Sequence, residues 1–233
     1  MLKKKKISAV LSCTVAAVLL LTALVVVCIE VYALDEAFFQ DEYDKLGTAQ
    51  SIGISESDLS LVTHRLLAYT RGEADTLDMQ VQIRGDMSEV FGQREKEHMV
   101  DVRELYLGAR FVRTFGLIAA ALLAALAFVL IRRNAWAALC RAFLSVSAAF
   151  LTLVAVIGIW AALDFASFWT AFHHVFFTND LWILNPNTDV LIMMVPQQFF
   201  SDLVSRILTL FVILFAALNT AAVLGLLIRR GKA

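Results

Sequence analysis

The stretch ISAVLSCTVAAVLLLTALVVVCI, residues 7–29, contains no charged side chain. An α-helix of about 20 apolar residues crosses the roughly 30 Å hydrocarbon core of a bilayer. Three further uncharged runs are long enough to do the same: Phe115–Ile131, Ala142–Leu163 and Ile207–Ile228. The whole chain is 60% hydrophobic and only 18% charged, which is too apolar for an ordinary soluble domain. We therefore expect an all-α, polytopic membrane protein with four transmembrane helices over about 7–31, 111–131, 142–163 and 204–228.

The basic residues next to these runs indicate the topology. They precede the first span, lie between the second and third, and follow the fourth: Lys3–Lys6, Arg132, Arg133, Arg141, Arg229, Arg230 and Lys232. Basic residues near span ends favour the cytoplasmic side, so both termini should face the cytoplasm. The connections over about 34–108 and 164–203 then face outward as an extracellular helical cap. We expect one membrane domain over 1–233, and the first run is too long for a cleaved signal peptide.

Two helices are predicted in the first outer connection. SESD, residues 55–58, has the spacing of a capping box, and apolar residues then recur at helical intervals until Gly72. A second helix is expected to start near Ser88. Five residues would share one stripe on it: Phe91, Arg94, His98, Asp101 and Leu105. Charge and imidazole in the middle of such a stripe indicate either a functional face or a solvated one, and the sequence favours neither.

The second outer connection contains AFHHVFFTNDLWILNP, residues 171–186, where histidines stand among aromatic side chains. An interfacial aromatic belt explains the Phe and Trp residues. It does not explain His173, Asp180, Asn185 and Asp189 in the same segment. Polar groups at membrane depth are costly unless they have partners, and by default they mark a functional site.

The four histidines differ in what their positions predict. His64 lies roughly opposite the apolar stripe of its helix and is expected on the surface. His98 and one of His173 and His174 come from different connections near span ends, so they could meet and act as base and acid. A metal site is the rival hypothesis, since Glu95 and His98 form a Glu-x-x-His pair. No second such pair occurs, although a mononuclear zinc site using His98, His173 and a carboxylate stays open.

Other chemistries have no motif in the sequence. There is no GxSxG elbow, and the cysteines, Cys13, Cys28 and Cys140, lie in the first span and in the expected cytoplasmic loop. They are interpreted as small apolar residues rather than as nucleophiles or disulfide partners. Neither a glycine-rich phosphate loop nor a basic, aromatic-interleaved patch is present, so nucleic acid is not an expected partner.

Two segments resemble motifs of a known family. FGQREKEHMVDV, residues 91–102, is similar to F-x-x-R-E-x-x-H-M-x-D-V of the lipoprotein intramolecular transacylases, small integral membrane proteins of Gram-positive bacteria. The second connection resembles that family's F-H-x-x-F-F, W-x-x-x-P, D-x-L-I, P and F-F elements in order and spacing. Its matching residues are Phe172, His173, Phe176, Phe177, Trp182, Pro186, Asp189, Leu191, Ile192, Pro196, Phe199 and Phe200. His174 departs from the pattern, because the family usually has an acidic residue there.

The resemblance implies a reaction and a set of roles. An sn-2 acyl chain would move from the glyceryl ester to the α-amino group of the N-terminal cysteine of a diacylglyceryl-modified lipoprotein, giving the lyso form. His98 and His173 would be catalytic, without metal or cofactor. Residues that orient a ring or hold the oxyanion would be Arg94, Glu95, Asp101, Asn185 and Asp189. Residues that contact substrate would be Phe91, Met99, Phe172, Phe176, Phe177, Trp182, Phe199 and Phe200.

The resemblance also implies a place in the cell. The protein would be a multi-pass monomer of the bacterial cytoplasmic membrane, in contact with membrane lipids, with its active site at the outer face. Two alternatives remain from the residues alone: a metal-dependent membrane hydrolase, and a non-catalytic four-span scaffold.

Overall fold

A computed structural model describes residues 2–230, and the side chains of residues 4–229. Of the basic residues used above for topology, the side chains of Lys3 and Arg230 and the whole of Lys232 lie outside this description. The chain is 81% helical. In chain order the helices are α1 (Leu2–Ala33), α2 (Glu36–Leu46), α3 (Thr48–Ile52), α4 (Glu56–Arg71), α5 (Gln93–Ile131), α6 (Ala135–Leu163), α7 (Phe165–Phe176), α8 (Val190–Met194) and α9 (Gln197–Arg230).

Three helical stretches in the described chain are long and apolar enough to cross a membrane, judged by length and composition: Lys4–Ala33, Gln93–Leu163 and Gln197–Arg229. The middle stretch consists of α5 and α6, joined by a 3-10 turn at Arg132–Asn134. Arg132 has a φ of 43°, in the left-handed region that reverses a chain between two helices. These helices agree with the prediction of an all-α membrane protein.

The residues fall into two compact units. The first, which we call the apolar unit, comprises Met1–Glu30, Arg110–Ala162 and Arg206–Ala233, as far as these are described. Its core joins side chains of α1, α6 and α9: Ala17, Leu21, Cys28, Cys140, Phe143, Phe211, Phe215 and Ala222. All three cysteines are buried and free, in keeping with their interpretation as small apolar residues.

Two polar contacts join helix ends within the apolar unit. The Arg113 guanidinium forms an ion pair with the Glu30 carboxylate, joining the end of α1 to α5. The Arg229 guanidinium donates to Asn134 Oδ1 at 3.1 Å, joining the end of α9 to the turn between α5 and α6.

The second unit, the polar unit, comprises Val31–Ala109 and Leu163–Ser205. Helix α4 begins as predicted, because Ser55 Oγ accepts from the Asp58 backbone N–H at 3.0 Å. It ends at Gly72, whose φ of 80° closes the last turn. An aromatic cluster joins α2 to α9, with Phe199 packed on Phe38 and Phe39 at ring-centroid distances of 5.2 and 4.8 Å.

One sequence prediction in this unit is wrong. The helix expected from Ser88 begins instead at Gln93, because residues 80–89 form an antiparallel hairpin of β1 (Gln80–Ile83) and β2 (Asp86–Glu89). Ser88 pairs with Val81 in this hairpin, and Arg84 and Gly85 turn the chain with positive φ. Phe91 therefore precedes the helix rather than starting its stripe.

Candidate active site

His98 on α5 and His173 on α7 meet inside the polar unit. Their ring centroids are 6.2 Å apart and their planes are inclined by 34°. Both side chains are buried, with 8% and 7% of their surface exposed. Two connections that are distant in the sequence thus bring together His98 and one of the two histidines, His173 and His174, that the sequence offered as its partner.

The position of His173 follows from how α7 is built. Asp164 caps the helix by accepting from the Ser167 backbone N–H at 3.0 Å. His173 is the one residue of α7 that is fully buried. Its Nδ1 lies 2.7 Å from the carbonyl oxygen of Trp169, one helical turn earlier. A carbonyl can only accept, so Nδ1 carries the proton of the neutral ring and Nε2 keeps its lone pair.

Aromatic rings surround the pair. Trp182 stacks on His173 with centroids 4.5 Å apart and planes 27° apart. Phe177 contacts both imidazoles, at 5.3 Å from His98 and 5.6 Å from His173. Trp169 meets His173 edge-on at 4.9 Å. The histidines therefore sit in an apolar setting that excludes most water.

Two buried nitrogen atoms at this place have no hydrogen-bond partner among the described residues: His98 Nδ1 and Trp182 Nε1. Such atoms are uncommon in folded proteins, since leaving a buried donor or acceptor unmatched costs about 1–3 kcal/mol. Their presence together favours a site that awaits a polar ligand.

Burial also sets the protonation of the pair. Burial and, to a smaller extent, the neighbouring His173 lower the pKa of His98 to about 4, and the Asp101 carboxylate acts in the opposite direction. Burial likewise lowers the pKa of His173, against the stabilising effect of the Trp169 carbonyl. Both rings are thus neutral at physiological pH and able to accept a proton.

Glu95 lies one turn before His98 but contacts backbone rather than a ring. Its carboxylate accepts from the backbone N–H of Gly92 and of Leu191, each at 2.6 Å. The first contact caps the start of α5 and the second fixes the start of α8. Burial raises the pKa of Glu95, and both backbone hydrogen bonds oppose this rise.

Arg94 and Asp101 hold the connection that follows α7. The Arg94 guanidinium donates to the carbonyl oxygen of Ile183, at 3.1 Å from Nε, and to that of Asp180. About two turns later on the same helix, Asp101 Oδ2 accepts from Asn179 Nδ2 at 2.9 Å. Both residues therefore anchor to α5 the segment that carries Trp182.

A cavity of about 200 Å³ adjoins Phe177. Its lining combines polar and aromatic side chains and comprises Asp101, Glu104, Leu105, Phe176, Phe177, Thr178 and Asn179. Two carboxylates thus face a space next to a ring that touches both histidines. A cation fits such a lining.

Comparison with known proteins identifies the family. A sequence profile of the lipoprotein intramolecular transacylase Lit matches residues 14–200. The chain belongs to this family. No curated protein sequence matches it.

Solved structures support the same fold. The chain is similar to three solved structures of the membrane integral lipoprotein intramolecular transacylase Lit from Bacillus cereus. The first has a TM-score of 0.68 at 16% identity, over 94% of this chain and 93% of that one. The others carry a histidine replaced by arginine or alanine, with TM-scores of 0.70 and 0.71 at 14% and 15% identity. They cover 99% and 94% of this chain, and 96% and 94% of their own.

Several of the transacylase motif residues pack against other side chains of the fold. Phe91, Met99 and Phe199 are buried core side chains. Phe172 and Phe200 each stack on the Trp169 indole, at ring-centroid distances of 5.0 and 4.2 Å. Phe176 follows Phe172 at 4.8 Å and is 51% exposed.

Asn185 and Asp189, two of the residues expected to orient a ring or to hold the oxyanion, form a local turn. Asp189 Oδ2 accepts from the Asn185 backbone N–H at 2.8 Å, and Asn185 Oδ1 accepts from the Asn187 N–H at 3.0 Å. Asn185 is exposed. These contacts shape the turn before α8, and neither side chain touches the histidine pair.

The remaining two histidines are exposed, as the sequence predicted for His64. His64 is exposed and its Nδ1 lies 2.9 Å from the Glu36 carboxylate. His174 is exposed and meets the Trp182 ring edge-on at 5.3 Å.

Sequence reasoning missed three contributors to this site. Trp169 fixes the His173 tautomer, and Asn179 and Glu104 line the cavity. The first had a signal, since residues four apart on a helix are neighbours.

Among the described residues, no group of three or more His, Cys, Asp or Glu side chains lies close enough together to hold a metal ion.

Proposed function

We propose that this member of the transacylase family moves the sn-2 acyl chain of a diacylated lipoprotein from its glyceryl ester to the α-amino group of the N-terminal cysteine. The product is an N-acylated lyso-lipoprotein. The observation that carries the proposal is the buried pair of His98 and His173, 6.2 Å apart in an aromatic pocket. Amine and ester belong to one substrate, so the protein supplies no nucleophile of its own.

His173 is the general base of this proposal. Its Nδ1–H is directed to the Trp169 carbonyl, which leaves Nε2 as the atom that accepts a proton. The amine nitrogen attacks the ester carbonyl carbon, and its proton passes to Nε2. The same proton then goes to the glyceryl oxygen as the C–O bond breaks, so the cycle ends with an amide, a free hydroxyl and a neutral ring.

His98 acts on the leaving oxygen. Within the described part of the chain no backbone carbonyl accepts from its Nδ1, so its ring can donate to the glyceryl oxygen as negative charge builds there. General acid–base assistance of this type contributes about 10²–10⁴-fold to rate. The rings are neutral in the resting protein, so neither has to lose a proton before the reaction.

The amine enters through the acidic cavity. A free α-amino group has a pKa near 8 and is cationic at neutral pH. Asp101 and Glu104 line the cavity beside Phe177, so the carboxylates attract the ammonium to the edge of the histidine pair. There it loses its proton to solvent before attack.

The aromatic shell serves two purposes in this proposal. Nucleophile and ester are several bonds apart, so attack closes a medium ring that the free substrate rarely adopts. Holding the folded conformer raises the effective molarity of the amine. Trp169, Phe172 and Phe200 also exclude water, which would otherwise hydrolyse the ester.

The proposal includes the topology expected from the sequence. We propose that α1, α5, α6 and α9 each cross the membrane, with both termini in the cytoplasm and the site at the outer face of a monomer. Two contacts support it. Arg229 bonds Asn134 at the ends predicted to be cytoplasmic, and Arg113 pairs with Glu30 at the ends predicted to be outer.

The test is mass spectrometry of lipoprotein N-termini from cells that have or lack this protein. We expect lyso-form, N-acylated termini only where it is expressed. Unchanged termini would favour the scaffold alternative. Loss of activity on adding a chelator would favour the metal-dependent hydrolase.

A further inference from the structure

Trp182 carries a buried hydrogen-bond donor that the resting protein leaves unused. Its Nε1–H has no partner among the described residues. Indole nitrogen can only donate, and buried Trp side chains usually direct this group to an acceptor. Because this donor is buried beside His173 and has no acceptor in the described structure, we expect the substrate to supply the acceptor.

The stacking of Trp182 on His173 restricts where this donor can point. The N–H lies in the plane of the indole, which is 27° from the plane of the imidazole at a centroid distance of 4.5 Å. It therefore cannot point into the face of the ring below it. The N–H and the Nε2 lone pair each lie in the plane of their own ring, so both groups are directed away from the stacked faces.

The backbone around Trp182 is fixed in advance. Arg94 binds the carbonyl oxygens of Asp180 and Ile183, on either side of Trp182. An indole held by stacking and by these contacts loses little freedom when a ligand binds. Donors of this preorganised kind stabilise developing charge most effectively.

The other donors considered for the oxyanion are engaged elsewhere. Arg94 is committed to the two carbonyls just described. Asn185 is exposed and its Oδ1 accepts from Asn187, within a turn. Neither side chain contacts either catalytic imidazole in the described structure.

We propose that the Trp182 Nε1–H donates to the oxyanion formed at the sn-2 ester carbonyl, an inference that rests on the proposed function. When the amine nitrogen attacks, a C–N bond forms and the π pair of the carbonyl moves to its oxygen. Trp182 binds that oxygen while His173 Nε2 holds the proton from nitrogen. The pair returns to re-form C=O as the C–O bond to glyceryl breaks, and the proton passes to the departing alkoxide.

The test is steady-state kinetics of Trp182→Phe in detergent or nanodiscs on a synthetic diacylated lipopeptide. Phe keeps an aromatic ring over His173 but removes the N–H. Loss of one oxyanion donor lowers kcat by about 10²–10³-fold. The interaction strengthens in the transition state, so kcat and kcat/KM should fall together while KM changes little.

A second variant separates the donor from the size of the ring. Replacing Trp182 with 3-benzothienylalanine puts sulfur in place of N–H on a ring of the same size, and it should lose the same factor in kcat. The matched control is Trp160→Phe on α6 in the apolar unit, which should keep wild-type kcat.

The outcomes distinguish this inference from the function it rests on. If the benzothienyl variant keeps kcat within about threefold while His173→Ala is inactive, the donor role of Trp182 is wrong and the transacylase proposal stands. If the wild type does not convert the lipopeptide to its lyso form, the proposed function itself is wrong, and if neither His98→Ala nor His173→Ala loses activity, the histidine mechanism is wrong. Should Trp182→Phe fail to fold, the benzothienyl variant decides alone.

Discussion

Buried polar atoms have hydrogen-bond partners on helices α2 and α4, whereas two of them near α7 do not. On α2 and α4, no described buried side-chain nitrogen or oxygen lacks a partner. Tyr43 on α2 and Thr63 on α4 bond each other at 3.1 Å. Near α7, by contrast, His98 Nδ1 and Trp182 Nε1 are buried without partners.

The difference shows in which region the fold loses stability by leaving buried polar atoms without hydrogen-bond partners. Unmatched buried polar atoms destabilise a folded chain, so a region that keeps them does so against stability. Both regions belong to the same polar unit and both contain histidine. His64 is exposed and pairs with the Glu36 carboxylate. His98 and His173 are buried and form no ion pair with a carboxylate among the described residues.

The largest expected effect comes from removing the imidazoles. His173→Ala should lower kcat by about 10²–10⁴-fold, because His173 carries the proton from the amine to the glyceryl oxygen, and His98→Ala should lower it by a similar factor, because His98 donates to that leaving oxygen. The measurement is conversion of a diacylated lipopeptide to its lyso form, followed by mass spectrometry. A thermal scan of each variant establishes that it is folded.

His64→Ala is the matched control for this comparison. The residue is exposed and bonds only Glu36 among the described side chains, so its removal should leave kcat unchanged. Activity lost equally in all three variants would mean that burial does not distinguish the catalytic histidines.

Much of this fold was accessible from the sequence because hydrophobic run length and capping residues are local signals. The helical class, the start of α4 at Ser55 and its end at Gly72 follow from such signals. The hairpin at Gln80–Glu89 did not, since short strands have weak patterns and this one pairs only with its neighbour along the chain. The number of crossings and their orientation stay predictions.

The candidate site was partly accessible. The positions of the histidines near span ends allowed His98 to meet either His173 or His174, and the family resemblance selected His173, yet neither indicated what holds the rings. The expected orienting role of Glu95 has no support in its contacts, which are with backbone N–H groups of Gly92 and Leu191. Such contacts depend on where a distant chain segment returns, and spacing along one helix does not encode this.

The next largest effect concerns how α8 is held against α5. Glu95→Ala leaves the buried N–H groups of Gly92 and Leu191 without acceptors, and should lower the free energy of unfolding by about 3 kcal/mol. Glu95→Gln keeps one carbonyl oxygen and should lose about half of that. The measurement is thermal or denaturant unfolding in detergent.

Glu97→Ala provides the control on the same helix. Glu97 is exposed and accepts only from Gln93 among the described side chains, so its loss should cost no more than about 0.5 kcal/mol. Equal destabilisation by the two alanine variants would contradict the role given to Glu95.

A smaller effect is expected from pH. The folded pKa of His98 is about 4 and an unfolded histidine titrates near 6.5, so the unfolded state alone takes up a proton between these values. Stability is therefore fully present above about pH 6.5 and falls as the pH drops towards 4. At pH 5 the loss due to His98 is about 2 kcal/mol.

The check is to compare unfolding at pH 7 and pH 5 for the wild type and for His98→Gln. Gln cannot take up a proton, so this variant should lose less stability than the wild type. His173, whose pKa is also lowered, accounts for part of the fall that remains. Identical pH dependence in both proteins would show that His98 is not held neutral by burial.

The smallest effect probes the paired region, α2 and α4. Thr63 Oγ1 lies near both Tyr43 Oη and the Leu59 carbonyl oxygen. The carbonyl oxygen can only accept, so it takes the single hydrogen of the Thr63 hydroxyl. Tyr43 must then donate to Thr63. Tyr43→Phe removes one neutral hydrogen bond and should cost about 1 kcal/mol in unfolding free energy. Because Tyr43 lies outside the catalytic group, kcat should stay at the wild-type value, and a drop in kcat would mean that the two regions are coupled.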